Sequence, residues 1–141
     1  MPKVKTPTVF FNASVVLAGL KSPSGGSGKL LLWIKRNKIK GVISEIILDE
    51  VLRNSGKINK NQKQLNKIVQ GIFSIQAEPK KETVALFEEI VVYPGDAHVL
   101  ASGLECGADY LVTLDQKHIL VLKGHIKEFK IVTPGQLIMN K

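Results

Sequence analysis

The stretch PGDAHVLASGLECGADYLVTLD, residues 94–115, decides the fold of this chain. Asp96 precedes apolar residues at helical spacing and is predicted to be the N-cap of a helix that ends at the C′ residue Gly107. Residues 110–114 are mostly apolar and partly β-branched, which is typical of a buried strand. Helix and strand each cover roughly 16 Å, so the strand returns the chain to the level at which the helix began. Asp96 and Asp115 are therefore predicted to meet at the carboxyl edge of a sheet, where open α/β folds bind ligands.

Two more polar residues of this stretch are assigned by their distance along the strand. Asp109 precedes Asp115 by roughly 20 Å of extended chain, so it is predicted to be a turn or capping residue at the opposite edge. Thr113 lies two residues before Asp115, and its hydroxyl is expected on the same face of the strand. We therefore expect Thr113 to orient Asp115 or a bound ligand.

Three polar residues elsewhere are predicted to reach the same carboxyl edge. The first strand ends at Asn12, and Ser14 follows in the turn. Ser44 is predicted to cap a helix over residues 45–52 that starts at this edge, and Glu50 lies nearly two turns into that helix. Because a helical Glu is usually only solvated, Glu50 is a candidate only in company with the others.

The remaining elements follow from apolar periodicity and turn residues. Asn59 and Gln62 are predicted to form a capping box before a helix whose apolar stripe, ending at Phe73, indicates a core or dimer contact. His98, His118 and His125 share no metal-binding spacing and are predicted to be surface or capping residues. Further predictions are strands over 8–11, 39–43 and 131–133, helices over 15–20, 30–38 and 82–89, an extended segment over 90–93, and a short helix after Pro134.

Residues 21–29 form a Gly- and Ser-rich segment that is predicted to be a flexible loop. A phosphate-binding loop needs G-x-x-x-x-G-K followed by Ser or Thr. Here Pro23 stands at the first glycine position and Leu30 follows Lys29. A nucleotide-triphosphate loop is therefore disfavoured.

The composition indicates one globular domain, which we expect to span residues 1–141. The 141 residues can bury a substantial core, and 44% of them are hydrophobic. The single cysteine, Cys106, excludes an internal disulfide and a cysteine metal cluster. No apolar run approaches the roughly 20 residues that cross a bilayer, and residues 1–7 lack the apolar core of a signal peptide. We expect a cytoplasmic protein without a membrane partner.

A formal net charge of +8 favours a polyanionic partner. Neither of two basic clusters has the interleaved aromatic residues of a single-strand stacking platform. Charge alone does not identify the partner, because many lysines only solvate a surface. The clusters are Lys57, Lys60, Lys63 and Lys67, and Lys35, Arg36, Lys38 and Lys40.

Five segments, in this order and spacing, resemble PIN-domain proteins, particularly those of prokaryotes. The run ADYLVTxD is the most specific of them. The resemblance covers nearly the whole chain and implies an α/β fold of three layers, with a central parallel sheet flanked by helices. The segments are NAS at 12–14, SEIILDE at 44–50, DAHVLA at 96–101, CGADYLVTLD at 106–115 and IVTP at 131–134.

This resemblance implies a divalent-metal-dependent endoribonuclease, and many members of the family are toxins of toxin–antitoxin pairs or form dimers. Glu50, Asp96 and Asp115 match three of the family's acidic residues, with implied catalytic and metal-binding roles. Ser14 and Thr113 match its hydroxyl positions. Crowded carboxylates repel one another unless a hard cation neutralises them, and Mg²⁺ or Mn²⁺ suits such a set of oxygen ligands. RNA, an antitoxin protein and a second copy of the chain are the implied partners.

Asn12 departs from the family pattern, which has Asp at this position. An amide oxygen can bind a hard cation, but it carries no charge and accepts no proton, so a weakened metal site is expected. A slowed nuclease, a noncatalytic module that binds RNA or protein, and an altered copy of an active parent all fit this substitution. A phospho-accepting receiver domain fits poorly, because it usually has paired acids where this chain has Phe11 and Asn12.

Overall fold

The chain folds around a parallel sheet, as described by a computed structural model of residues 6–140. Over these residues the sheet has five strands in the order β3-β2-β1-β4-β5, with seven α-helices around it. The predicted α/β fold with a central parallel sheet is thereby confirmed. The elements are β1 (Thr8–Phe11), α1 (Ala13–Lys21), α2 (Gly26–Lys35), β2 (Lys40–Ser44), α3 (Glu45–Arg53), α4 (Gln62–Ile72), β3 (Ser74–Gln76), α5 (Lys81–Glu88), α6 (Ala97–Glu105), β4 (Tyr110–Val112), β5 (Lys130–Val132) and α7 (Pro134–Met139).

Strand β1 lies at the centre of the sheet and determines where a site can form. It pairs in parallel with β2 on one side and with β4 on the other. The connection after β1 leads to β2 on one side, and the later connection after β3 leads to β4 on the other, which creates a switch point at the carboxyl ends of β1 and β4. Asn12 follows β1, Ser44 ends β2, and Thr113 follows β4. The topology thus brings these polar residues to one edge.

The core is built from the apolar strand residues and the inward faces of the helices. Residues 9–11 of β1 are fully buried, and the rings of Phe11 and Phe73 pack edge to face with centroids 5.0 Å apart. The apolar stripe of α4 buries Leu65 and Val69 within this chain. The stripe of α4 is therefore a core contact. Trp33 of α2 is also buried in the core, with 8% of its surface exposed.

Several local predictions are confirmed at element ends. The Ser44 hydroxyl accepts a hydrogen bond from the Ile47 backbone N–H at 3.1 Å and caps α3. Gly107 ends α6 with a φ of 65°, a left-handed conformation that favours glycine. Asp109 lies at the amino edge, where its carboxylate accepts from the backbone N–H of Thr8 at 2.8 Å. Ser44 and Gly107 thus determine where helices begin and end, and Asp109 stabilises the amino edge of the sheet.

The predicted loop over 21–29 is wrong in its second half, because α2 already begins at Gly26. Gly28 is buried there for a packing reason, since a Cβ would collide with the carbonyl oxygen of Pro23. The same helix ends at Lys35 and not at Lys38. Asn37 takes a left-handed φ of 58°, and the chain closes the helix with backbone bonds typical of a Schellman motif.

The predicted capping box before α4 is displaced by two residues. Asn61 is the N-cap, and its side chain and that of Gln64 exchange bonds with each other's backbone N–H. Asn59 instead ends the preceding 3₁₀ turn with a φ of 55°. The sequence contains the pattern Asn-x-x-Gln twice in overlapping register, and the left-handed turn decides between the two.

The edge strand β3 was not predicted, and the predicted extended segment 90–93 is not a strand. Phe73, which the periodicity assigns to the helix, has extended dihedrals and begins the turn into β3. A strand of three residues is too short to show a pattern of its own, and its pairing with β2 defines it.

No helix among residues 6–140 is long and apolar enough to span a membrane. The expected absence of a signal peptide concerns residues 1–7, of which 1–5 lie outside the described part of the chain.

Candidate functional site

A cavity of about 310 Å³ opens at the carboxyl edge of the sheet, at the switch point around β1. Five of the six residues that the sequence predicts for a site contribute to its lining. The sixth, Thr113, is fully buried and accepts hydrogen bonds from two lining residues, Asn12 and Asp115. The lining residues are Asn12, Ser14, Glu50, Tyr93, Gly95, Asp96, His98, Val99 and Asp115.

Asp96 and Asp115 meet as expected from the helix and strand that separate them. Together with His118 they offer three metal-ligand atoms that lie within 4.8 Å of one another. Glu50 shares the cavity but is not a member of this close group. The site therefore has a compact centre of two carboxylates and one imidazole, with a third carboxylate beside it.

Asp96 stands at the N-cap position of α6, but its side chain does not cap the helix. It ends a 3₁₀ turn over Pro94–Asp96 and has a φ of −87° and a ψ of −9°, which lie outside the extended region usual for a capping residue. Its Oδ2 atom is buried and has no hydrogen-bond partner among the described residues. A buried carboxylate oxygen without a partner costs free energy, so a ligand at this atom would stabilise it.

Burial and crowding raise the pKa values of two carboxyls in the cavity. For Asp96, burial is the largest cause, and the charge of Asp115 adds to it, while nearby His118 opposes both. For Glu50, burial again raises the pKa most, Arg53 lowers it, and Asp96 raises it further. Each shift means that the protein disfavours the ionised carboxylates in the absence of a compensating positive charge.

Asn12 is buried and held in a single orientation by its neighbours. Its Oδ1 accepts a hydrogen bond from the Ala13 backbone N–H, and its Nδ2 donates to the Thr113 hydroxyl, both at 2.9 Å. Exchanging the two amide atoms would set Nδ2 against the Ala13 N–H, two donors face to face. The amide oxygen is therefore already engaged with the backbone, on the side away from Thr113.

Ser14 and Thr113 position the end of β4. The Ser14 hydroxyl accepts from the backbone N–H of Leu114 at 3.2 Å. The Thr113 hydroxyl accepts from Asp115 N–H at 3.0 Å, so it links Asn12 to the backbone of Asp115. This contact agrees with the expected orienting role of Thr113 toward Asp115.

His118 is one of two histidines of this site that the sequence interpretation missed. The Asp115 Oδ1 accepts from the His118 backbone N–H at 3.0 Å, and His118 Nδ1 lies 3.3 Å from Asp115 Oδ2. The local signal was an Asp at the end of a strand followed three residues later by His, because Asp side chains commonly bond backbone groups of the turn that follows.

A second imidazole, that of His98, lines the cavity without the hydrogen-bond contacts that His118 has. It is half-buried, its Nδ1 is buried and has no partner among residues 6–140, and burial lowers its pKa. Both histidines were predicted to be surface or capping residues, and the structure instead brings both to the candidate site. His125 is exposed and lies outside it.

The donor set fits a divalent cation. Carboxylate oxygens are preferred ligands of Mg²⁺ and Mn²⁺, and a cation would neutralise the repulsion that raises the pKa values of Glu50 and Asp96. It would also supply a partner for the buried Asp96 Oδ2. Asp96 and Asp115 could hold such an ion, with Glu50 and Asn12 at the side of the cavity.

The basic cluster formed by Lys35, Arg36, Lys38 and Lys40 does not border this cavity. It follows the end of α2 and leads into the first residue of β2, so it lies at the amino edge of the parallel sheet. A strand of five residues spans roughly 16 Å, which separates the cluster from the carboxyl edge. This cluster cannot contact a phosphate held at the candidate site.

The family comparison gives one clear match. Residues 8–117 match a family model described as the PIN domain, which is more than three quarters of the chain. The matched range includes every residue that lines the cavity, and His118 lies one residue beyond it. No curated protein matches the sequence.

Solved structures with the same fold come from several organisms. A toxin–antitoxin complex from Klebsiella pneumoniae is 23% identical, with a TM-score of 0.64 over 89% of this chain and 97% of that one. VapBC2 from Rickettsia felis, bound to a promoter DNA fragment, is 17% identical, with a TM-score of 0.63 and coverage of 89% and 98%. VapC20 from Mycobacterium tuberculosis, a toxin that cleaves the sarcin-ricin loop, is 11% identical, with a TM-score of 0.56 and coverage of 77% and 91%. These likenesses show the fold.

Proposed function

The chain belongs to the PIN-domain family, and from this premise we propose that it is a divalent-metal-dependent endoribonuclease. The observation that carries the proposal is the meeting of Asp96 and Asp115 in one polar cavity that Glu50 also lines. The raised pKa values of Glu50 and Asp96 suit a cation-dependent centre better than a purely structural one. RNA phosphodiester bonds are the proposed substrate.

Three carboxylates have the proposed catalytic and metal-binding roles. Asp96 and Asp115 bind Mg²⁺ or Mn²⁺, and Glu50 completes the acidic side of the cavity, with Asn12 as a weaker oxygen donor. When bound, the cation supplies a more acidic water and stabilises negative charge on the phosphodiester. The raised pKa of Glu50 makes it a stronger proton acceptor than an ordinary carboxylate, so it is the group proposed to take a proton from a water at the site. Ser14 and Thr113 fix the backbone that carries Asp115.

The test is cleavage of labelled single-stranded RNA in Mg²⁺, in Mn²⁺ and in EDTA. We expect cleavage only with a divalent cation, and its loss in Asp96→Ala, which also excludes a contaminating nuclease. Asp49→Asn is the matched control, because Asp49 is an exposed carboxylate directly before Glu50 that does not line the cavity. Cleavage that persists in EDTA or in Asp96→Ala would refute the proposal.

Asn12 supports a second candidate function, a PIN-like module that binds RNA or protein without cutting. The position after β1 carries no negative charge, and its oxygen is engaged by the Ala13 N–H. If the wild-type protein does not cleave RNA and Asn12→Asp restores metal-dependent cleavage, the chain is a disabled nuclease. RNA binding without cleavage in both the wild type and Asn12→Asp would favour the module.

Two of the similar structures motivate a proposal about a protein partner. The Klebsiella and Rickettsia structures are toxin–antitoxin complexes, and we propose that this chain likewise is a toxin held by an antitoxin protein. Expression of the chain alone should arrest growth, and Asp96→Ala should relieve the arrest. Arrest that is unchanged in Asp96→Ala would contradict a toxin that acts through this site.

We also propose a homodimer. Leu86, Val92 and Tyr93 are 67%, 59% and 60% exposed and come from one short stretch around the end of α5. Contiguous exposed apolar residues commonly mark interfaces. Light scattering should report a dimer for the wild type and a monomer for Leu86→Asp. Val121→Asp, which alters an exposed apolar residue elsewhere, is the control that should stay dimeric.

A further inference from the structure

The imidazole of His118 stands beside both aspartates of the proposed metal centre. One ligand atom from each of Asp96, Asp115 and His118 lies within 4.8 Å of the other two. A cation bonded to oxygen and nitrogen at about 2.1 Å places neighbouring ligand atoms about 3 Å apart and opposite ones about 4.2 Å apart. The three atoms are therefore close enough to share one ion after small side-chain movements.

The position of His118 is fixed from two sides. Its backbone N–H donates to Asp115 Oδ1 at 3.0 Å, so the turn after β4 brings the imidazole back over the aspartate. On its other side, the ring of Tyr93 packs against it with centroids 5.5 Å apart and an angle of 31° between the planes. A side chain held in this way loses less rotamer entropy on binding an ion than a free surface histidine does.

The end of β1 offers the ion no strong ligand. Asn12 is neutral, and its oxygen already accepts the Ala13 N–H. An ion at Asp96 and Asp115 would therefore find its next strong donor at His118, and not at the end of β1. Glu50 lies outside the close group of three.

We propose that His118 is a direct ligand of the divalent cation, which gives the centre two carboxylates and one imidazole. The inference rests on the proposed metal-dependent function and deepens it. Mg²⁺ prefers oxygen ligands and retains its waters, whereas imidazole binds transition metals more readily. The centre should therefore prefer Mn²⁺ to Mg²⁺, and His118 should be the reason.

The direct test is electron spin-echo modulation of the protein loaded with Mn²⁺, which reports a coordinated nitrogen. The wild type should show nitrogen modulation, and both His118→Ala and His118→Gln should lose it. His98→Ala is the matched control, because His98 is the other imidazole that lines the cavity, and it should retain the signal. His125→Ala serves as a remote control and should retain it as well.

Calorimetric titration gives the second readout. The wild type should bind Mn²⁺ more tightly than Mg²⁺, and His118→Ala should lose about tenfold in Mn²⁺ affinity with little change for Mg²⁺. Circular dichroism verifies that each variant is folded, and His118→Gln preserves the size of the side chain.

The outcomes separate this inference from the proposed function. Mn²⁺ binding without nitrogen modulation in the wild type, or modulation that disappears in His98→Ala, overturns the role of His118 while metal-dependent cleavage can stand. A wild type that binds neither Mn²⁺ nor Mg²⁺ overturns both. Loss of modulation only in the His118 variants, with the changed metal preference, establishes the mixed centre.

Discussion

Strand β4 carries an aspartate beyond each of its ends, and the two have different surroundings. Asp109, at the amino edge, is exposed and accepts a hydrogen bond from the Thr8 backbone N–H. Asp115, at the carboxyl edge, is half-buried and also accepts a backbone N–H, from His118. The two carboxylates are alike in residue type and in backbone bonding.

The difference lies in the neighbouring charges. The carboxylate of Asp115 lies beside that of Asp96, whose pKa is raised by burial and by Asp115 itself. Asp109 belongs to no such group among the described residues. A backbone hydrogen bond therefore does not distinguish a structural carboxylate from a site carboxylate, whereas repulsion from a neighbouring carboxylate does.

The largest expected effect is a difference in RNA cleavage between variants of the two aspartates. Asp115→Asn preserves the acceptor for the His118 N–H but removes the charge, and RNA cleavage should fall by at least about 100-fold, the size typical of losing one charge-stabilising group. Asp109→Asn preserves the acceptor for Thr8 and should leave the cleavage rate unchanged. Rates at saturating Mn²⁺ measure both. Equal losses in the two variants would show that the distinction between the edges is wrong.

The next effect tests how Asp115 is supported. Thr113 is fully buried, and its hydroxyl accepts from Asn12 Nδ2 and from the Asp115 N–H. Thr113→Val preserves the shape but leaves those donors without a partner, so the free energy of unfolding should fall by about 1–3 kcal/mol. Urea denaturation measures the loss. Thr113→Ser retains the hydroxyl and should lose less, and the reverse order would contradict this role.

A smaller effect concerns the missing charge at Asn12. Asn12→Asp preserves the acceptor for the Ala13 N–H, and the Thr113 hydroxyl can rotate to donate where it now accepts. The added negative charge should raise Mg²⁺ affinity about tenfold, since a few kcal/mol at most arise from one more charge a few ångströms away. Calorimetry measures the change. An unchanged dissociation constant would show that the end of β1 does not border the ion.

The fold could be predicted from the sequence because its strongest signals are local. Gly107 and Ser44 mark helix ends by their own chemistry, and β1 and β4 are apolar runs. The edge strand β3 has no such signal, because pairing with β2 creates it. The start of α2 was missed because Gly28 is present for close packing against Pro23, while glycine composition alone indicates a flexible loop.

The candidate site could be predicted from the sequence only in part. Asp96 and Asp115 follow from element lengths and topology alone. The side-chain states do not: the Asp96 carboxylate does not cap α6, its Oδ2 has no hydrogen-bond partner within residues 6–140, and the Asn12 oxygen accepts the Ala13 N–H. His118 reaches the site through a turn, whose path depends on a hydrogen bond to Asp115. Such details depend on dihedral angles that spacing does not encode.

The smallest expected effect is on stability and compares a crowded carboxylate with a solitary one in the same helix. Glu50 has a raised pKa, so the folded protein binds its proton more tightly than the unfolded chain does. Its contribution to stability is present at low pH and is lost as the pH rises from 4.5, the ordinary value, through the raised one. Above that window, Glu50→Gln should raise the melting temperature of the metal-free protein by about 1–3 °C, since solvent screens a half-exposed charge.

The pH dependence of that gain is the decisive part of the measurement. The gain of Glu50→Gln should disappear by about pH 4, where Glu50 is protonated in both states. Saturating Mn²⁺ should reverse it at pH 7, because the ion stabilises a site with three carboxylates more than a site that retains only Asp96 and Asp115. The exposed neighbour Asp49, changed to Asn, should alter the melting temperature little at any pH. A gain that persists at pH 4 would mean that packing, and not charge, distinguishes Glu50 from Asp49.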